Sequence, residues 1–444
     1  MSMKHTVPFL SVLFVLAAST GAQERDLLVT SWNNNRVLRY DGQTGAFEGA
    51  FVTGGSGGLS RPHSACFGPD GHLYVTSFAN DRVLRYDGQT GAFIDAFITP
   101  GLGGLDGPTS AAFGSDGALY VSSFNTPGVL RYDGQTGAFI DIFITPGNGL
   151  VAAEAGHFGP NGDYYLANGG SSNLKHYDGQ TGAFVSTITG GSLTDPHDFV
   201  FGPNGNLFAT AFGNRRVNEY DAQTEAFIGI FVSQGNGLLG AHGLYFDEVG
   251  FFYAAAFNND RVIRYDGTTG AFESIFITDG LGGLDGPISI TTIPLPPAES
   301  AYGCGVNPTG SLAVTAGQPA IGTQITFEVT NPNGTQNPGA LGFIWLAQDP
   351  HPSFPCGAVA PGIGMGGPGS PGEFLLDFAS IFVTFAGGPW GGVGSPVVFT
   401  PTIPPNLNLI GQDVFLQGVL IDLSGPVGGN TIGLTNALEL LVGF

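Results

Sequence analysis

The sequence predicts an all-β protein: a six-bladed β-propeller closed by strand exchange between its ends, followed by a β-sandwich domain. Three observations predict it. The octapeptide Tyr-Asp-Gly-Gln-Thr-Gly-Ala-Phe at residues 40–47 returns nearly unchanged, its tyrosine falling at Tyr40, Tyr86, Tyr132, Tyr177, Tyr220 and Tyr265. A period of about 45 residues is the length of one four-stranded blade. Between copies lie short apolar runs punctuated by Gly and Asp, the signature of strands joined by tight turns. The ends of the array are also permuted: the first copy, from Leu27, opens on what is elsewhere the second strand. The last copy is followed by an orphan first strand at residues 287–293. Pairing the two ends closes a ring and removes two open sheet edges.

One repeat shows the order of elements. Residues 62–67 form a first, inner strand ended by the Gly68-Pro69-Asp70-Gly71 turn; residues 73–78 form the second and 82–86 the third. The turn at residues 87–91 leads into the outer strand, 92–98, and a Gly/Leu-rich connector at 101–105 carries the chain to the next blade. The repeat stops at Ile293, so residues 23–293 are assigned to the propeller and the proline-rich 294–303 to a stiff linker. Residues 304–444 change character to short apolar or alternating runs between Pro/Gly turns, which suggests a β-sandwich-like domain.

Composition excludes some partners. Thirteen basic against 35 acidic residues give a net charge of −22, which repels phosphate backbones and anionic membrane surfaces, so nucleic acid is not expected as a partner. Lys4 and His5, an apolar run at 7–18 and the small residues before Gln23 read as a secretory signal peptide over residues 1–22. That run is short for a membrane span, and no other stretch approaches the required length. The expected location is secreted, either extracellular or periplasmic. In that compartment Cys304 and Cys356 are expected to form one disulfide, leaving Cys66 as a buried apolar residue.

The segment from Phe67 to Asp87, Phe-Gly-Pro-Asp-Gly-His-Leu-Tyr-Val-Thr-Ser-Phe-Ala-Asn-Asp-Arg-Val-Leu-Arg-Tyr-Asp, resembles the NHL-repeat and streptogramin-lyase-like six-bladed propellers. The resemblance covers roughly residues 26–293 and speaks to fold more than to activity. It implies a group that includes scaffolds for protein or sugar, a zinc-dependent amidating lyase, and magnesium-dependent lyases that open cyclic peptides with a histidine base. The tail Leu-Thr-Asn-Ala-Leu-Glu-Leu at 434–440 is similar to a small all-β module at the ends of secreted bacterial proteins, which implies display, adhesion or export.

Propeller ligands bind where the inner strands converge. Aligning those strands puts His63, Thr109, Glu154, His197, His242 and Ile288 at one repeat position, in a chain with only eight histidines. Three imidazoles and a carboxylate suit a divalent ion such as zinc, so His63, Glu154, His197 and His242 are candidate metal ligands. Asp195 and Asp198 flank His197 and are placed to orient its ring, and with Thr109 they complete the candidate ligand-binding set. The Pro62-His63 and Pro196-His197 pairs look like the strand start that carries the catalytic histidine in the streptogramin-type lyases. Equally, such histidines can simply bond to backbone and a polar channel can hold water.

Other recurrent residues have structural readings. Asp41, Asp87, Asp133, Asp178, Asp221 and Asp266 belong to turn chemistry. The arginines Arg36, Arg82, Arg216 and Arg261 are expected to pair with acids, and Phe47, Phe93, Phe139, Phe184, Phe227 and Phe272 to pack between blades. His176 is expected to be exposed, while His72, His157 and His351 join no constellation. The sequence therefore predicts a secreted binding module for a carbohydrate, peptide or protein ligand at the channel mouth. The alternative is a metal-dependent lyase or hydrolase, with zinc or magnesium as cofactor and His197 and His242 as its catalytic residues.

Overall fold

The computed structural model describes residues 25–294, 298–302, 306–308, 310–352, 354, 357–361, 363–365, 370–403, 412–423 and 432–442. The expected signal peptide and both Cys304 and Cys356 lie outside the described residues. Six four-stranded antiparallel sheets make the propeller, each ordered from inner to outer strand. The specimen repeat folds as Pro62–Phe67, Leu73–Ser77, Arg82–Tyr86 and Phe93–Ile98, within a residue of the expected boundaries.

Ring closure is as the permuted ends require. Strand Pro287–Thr292 pairs antiparallel with Leu27–Ser31, so the innermost strand of the first blade comes from the far end of the array. Ile290 packs with Leu27 and Val29 of that blade and with Tyr253 and Phe276 of the last one, in one buried cluster. Burying an aliphatic side chain of this size contributes about 1.5–3 kcal/mol, so closure rests on apolar burial as well as on the ladder.

The inner strands share an irregularity that positions the site. Register slips between Pro62 and Ala65, and again between Pro108 and Ala111, Ala153 and Gly156, and Ala241 and Leu244. Such a bulge re-aims the skipped side chains and leaves backbone N–H groups without ladder partners. In three blades a threonine on the second strand serves the inner-strand N–H groups: Thr76 Oγ1 accepts from Ser64 N at 2.8 Å, Thr30 Oγ1 from Ser289 N at 2.9 Å, and Thr210 Oγ1 from both His197 N and Asp198 N at 3.0 Å. The next side chain along staples neighbouring blades, as Ser110 Oγ accepts from Gly156 N at 2.9 Å and Asp198 Oδ2 from Leu244 N at 2.8 Å.

The octapeptide earns its repetition through geometry. Asp87 Oδ1 accepts from the Thr90 N–H and hydroxyl, at 2.8 and 2.6 Å, closing the turn as expected; those bonds hold its carboxyl below the usual range. A Cβ on Gly88 would stand 1.8 Å from the Gly71 carbonyl, so only glycine fits there. The tyrosine hydroxyl ties the blade to its connector, Tyr86 donating to Ser56 O at 2.9 Å and Tyr132 to Leu102 O at 2.8 Å.

Four expectations need correction. Phe93 does not pack between blades: it is 42% exposed and covers the connector glycine Gly57, whereas Tyr74 and Phe113, 5.0 Å apart, bridge two blades. Among the named arginines Arg261 pairs with Asp279, but Arg216 donates to backbone carbonyls; regular acid pairing belongs instead to Arg39, Arg85 and Arg131. His176 is buried, with Nδ1 2.6 Å from Glu225 and Nε2 3.0 Å from Asp163, because it replaces an arginine that pairs with acids in other blades. Cys66 is half-buried along the central channel, and burial of its sulfur, then the Asp70 charge, push the thiol up to about 12.

The C-terminal part is a two-sheet sandwich. A five-stranded sheet faces a three-stranded one, and Ile344 and Leu416 from the first meet Phe327, Val329 and Val397 from the second in a common core. The stretch read as linker contributes an edge strand, Ala298–Tyr302, paired with Ile432–Leu441. Its prolines concealed a strand that only the long-range partner defines.

Candidate functional site

The inner-strand position predicted from the repeat does converge. His63 Nε2 lies 3.4 Å from Glu154 Oε2, and His197 Nδ1 lies 3.4 Å from Glu154 Oε1. The His197 and His242 rings are 4.5 Å apart by centroid, and those of His63 and His242 5.2 Å. Glu154, His63 and His242 are buried, so four side chains from four blades form a titratable floor across the channel.

Charge on this floor is set by mutual contact. Burial favours the neutral form of Glu154, but hydrogen bonding and charge from His197 and His63 outweigh it and hold the carboxyl at about 2. Burial also opposes a charge on His197, yet Asp195 and Glu154 raise its imidazolium to about 9. His242 goes the other way: burial, then the neighbouring His197 and His63, push it well below its ordinary 6.5, so it stays neutral. Two of the floor's buried atoms, Glu154 Oε2 and His197 Nδ1, make no aligned hydrogen bond despite these contacts.

The flanking residues divide. Asp195 does orient the imidazole, its Oδ2 lying 3.3 Å from His197 Nε2 while Oδ1 accepts from Gly170 N at 2.7 Å. Asp198 turns away from His197: its carboxylate accepts from Phe199 N and Leu244 N and lies 3.6 Å from His157 Nε2, which gives His157 a partner the sequence did not reveal. Thr109 is buried with its hydroxyl donating to Ala153 O at 2.7 Å, which joins two inner strands. Ile288 lines the mouth as the apolar member of the ring.

Sequence reasoning missed what surrounds this floor. Trp32, Phe78, Phe124, Phe212 and Phe257 end the second strands of five blades and collar a mouth of about 330 Å³. Trp32 and Phe78 are 5.1 Å apart, and Phe78 and Phe124 5.9 Å; Phe212 stands 4.6 Å from the His197 ring. In the fourth blade the position is Gly169, where a Cβ would come within 2.8 Å of Glu154 Cγ. The collar is open at the blade that supplies the carboxylate, because that carboxylate occupies the space. Aligning the second strands as well as the first would have exposed the pattern. Below the floor a second chamber of about 490 Å³ is lined by Ser64, Ser110, His157, Asp198 and Ser289.

As a metal centre the donor set has suitable chemistry, but its present arrangement is closed on itself. Both His197 nitrogens face carboxylates. Among the described residues, the donors that lie within 4.8 Å of one another as a group are those of Asp26, Asp41 and Glu48. Arg39 pairs with two of these, Asp26 and Glu48.

The fold and this site define a six-bladed propeller with a polar floor beneath an aromatic mouth. The chain is similar to a protein of unknown function from Bacteroides caccae, with a TM-score of 0.50 and 12% identity over 61% of this chain and 99% of that one. It is likewise similar to a chain of a nidogen/laminin complex, with a TM-score of 0.50 and 14% identity over 60% and 98% of the two chains. These likenesses concern fold alone. No protein-family model and no curated protein matches this chain. Among the described residues no helix is long and apolar enough to cross a membrane.

Proposed function

We propose that this protein is a secreted ligand-binding propeller that captures part of a carbohydrate, peptide or protein at the mouth of its channel. The observation that carries this reading is the aromatic-collared cavity over a floor whose charges are fixed before any ligand arrives. A floor held by its own ion pairs loses little on ordering when a ligand docks, which favours affinity. That a similar fold occurs in the nidogen/laminin complex supports a protein partner. The sandwich would tether or present the propeller, and export follows from the signal-like N-terminus. Glycan and peptide arrays probed with the purified protein and with Phe212→Ala test this: binding that depends on Phe212 is expected, and arrays on which both proteins behave alike would end the proposal.

The second reading is a metal-dependent lyase or hydrolase resembling the streptogramin lyases, favoured by the three imidazoles and one carboxylate. His63, Glu154 and His242 would hold a divalent ion, zinc or magnesium, which when bound acidifies water towards neutrality. His197, charged at neutral pH beside Asp195 and Glu154, would then serve as a proton donor. Metal analysis of the purified protein and of His242→Ala tests it: stoichiometric metal lost on substitution supports this reading, and metal-free protein that takes up neither added zinc nor added magnesium removes it.

A further inference from the structure

We infer that the ligand group entering the mouth is a protonated amine carried on an apolar stem, held between the aromatic collar and the Glu154 and Asp195 carboxylates. This deepens, and rests on, the proposal that the mouth binds ligand. Four features on different parts of the site point the same way. First, the floor places two carboxylates in the mouth, Glu154 between His63 Nε2 and His197 Nδ1 at 3.4 Å each and Asp195 3.3 Å from His197 Nε2, in a chain of net charge −22.

Second, the acceptor left over is specific. Glu154 Oε2 is buried without a hydrogen-bond partner, its nearest neighbour being His63 Nε2 at 3.4 Å. Asp195, by contrast, is occupied on one oxygen by the Gly170 N–H and on the other by His197 Nε2 at 3.3 Å, and His197 Nδ1, the other unmatched atom, faces Glu154 Oε1. An ammonium group is a pure donor and needs only such an acceptor, whereas a sugar hydroxyl needs donors and acceptors side by side. An anion would meet carboxylates.

Third, five aromatic side chains line the walls, and a cation near an aromatic face is attracted by the ring quadrupole, more strongly where water is excluded. Fourth, the protein already shows the contact with one of its own cations. The Arg61 guanidinium carbon sits 5.5 Å from the centroid of the Trp32 ring, on an exposed side chain beside a ring that lines the mouth. Arg61 thus stands where an incoming cation would lie, and competes with it.

The test titrates the full-length mature protein at pH 7 with matched probes, read by the Trp32 indole NMR resonance and by calorimetry. The pairs are n-butylamine against n-butanol, and Nα-acetyl-lysine methylamide against its ε-acetylated counterpart. The expected result is at least a tenfold preference for each amine, lost by tenfold or more in Asp195→Asn and in Phe257→Leu. Arg61→Gly, which suits the left-handed backbone at this position and removes the guanidinium, should tighten amine binding. A lysine-bearing peptide that binds more tightly than the single lysine derivative identifies a polypeptide source, and equal affinity a free amine. Equal binding of amine and neutral partner overturns the inference and leaves the mouth a binding site. Neutral glycans that shift Trp32 where amines do not have the same meaning. No ligand shifting Trp32 overturns both this inference and the proposed function.

Discussion

Replacing Glu154 by Gln keeps shape and removes the charge that the site is built around. In the wild type His197 is raised from an ordinary 6.5 to about 9, against burial, by Asp195 and Glu154. The sign follows from proton counting. Between pH 6.5 and 9 the folded protein keeps a proton on His197 that the unfolded chain has released, so its contribution is complete below 6.5 and is lost as pH rises through 9. One proton corresponds to at most about 1.4 kcal/mol per pH unit, and integrating over pH 7 to 9 gives a loss of about 2 kcal/mol. On the acid side His242, depressed below 6.5, costs stability as pH falls below that value; Glu154, lowered from 4.5 to about 2, adds a further loss below 4.5.

In Glu154→Gln burial acts on His197 with only Asp195 opposing it, and the imidazole should titrate below 8. The variant should be about 2 kcal/mol less stable than wild type at pH 7, with the gap shrinking below about 1 kcal/mol at pH 9, where wild type loses the same proton. Histidine NMR titration gives the first quantity; urea unfolding at pH 7 and 9, followed by the near-ultraviolet circular dichroism of the buried blade tyrosines, gives the second. Asp195→Asn should lower the same imidazole, since Asp195 helps to raise it. A His197 that still titrates near 9 in Glu154→Gln, or a stability gap independent of pH, refutes the coupling.

Further outcomes are expected elsewhere. Gly169→Ala places a methyl 2.8 Å from Glu154 Cγ. It should cost about 1–3 kcal/mol and disturb the His197 titration, both measurable as above. Thr210→Val removes the acceptor that serves His197 N and Asp198 N, leaving two N–H groups unmet; a loss of about 1–3 kcal/mol in urea unfolding is expected. His176→Ala leaves Glu225 and Asp163 without the imidazole between them and should lower the unfolding midpoint, while His176→Arg should restore most of it, since Arg85 and Arg131 do the same work in other blades. Ile290→Asp buries a charge in the closing seam and should cost more than about 3 kcal/mol, with earlier proteolysis at the two freed edges; a variant as protease-resistant as wild type would show that closure does not depend on this seam.

Repetition made most of the propeller legible. An aspartate with a threonine three residues on closes the turn in all six copies, and a glycine follows the aspartate, where a Cβ would strike a carbonyl, in all but the fifth, which has Ala222; such turn requirements leave their mark in the sequence. The inner-strand position was readable for the same reason: His63, Glu154, His197 and His242 share a register, and register survives folding. The destiny of His176 was not readable, since its partners Asp163 and Glu225 come from a turn of its own blade and a turn of the next. The strand Ala298–Tyr302 was hidden likewise, because its pairing partner lies more than a hundred residues away.

By itself, then, the chain's order of residues determined the number of blades, the seam between its ends and which side chains reach the axis, because each follows from a short pattern repeated at fixed spacing. What those side chains do to one another was decided only by the tertiary structure. The bulge that turns the imidazoles inward, the inversion of charge between His197 and His242, and the collar broken at Gly169 all arise from distances between blades. Charge and packing act through space, and no spacing along the chain records them.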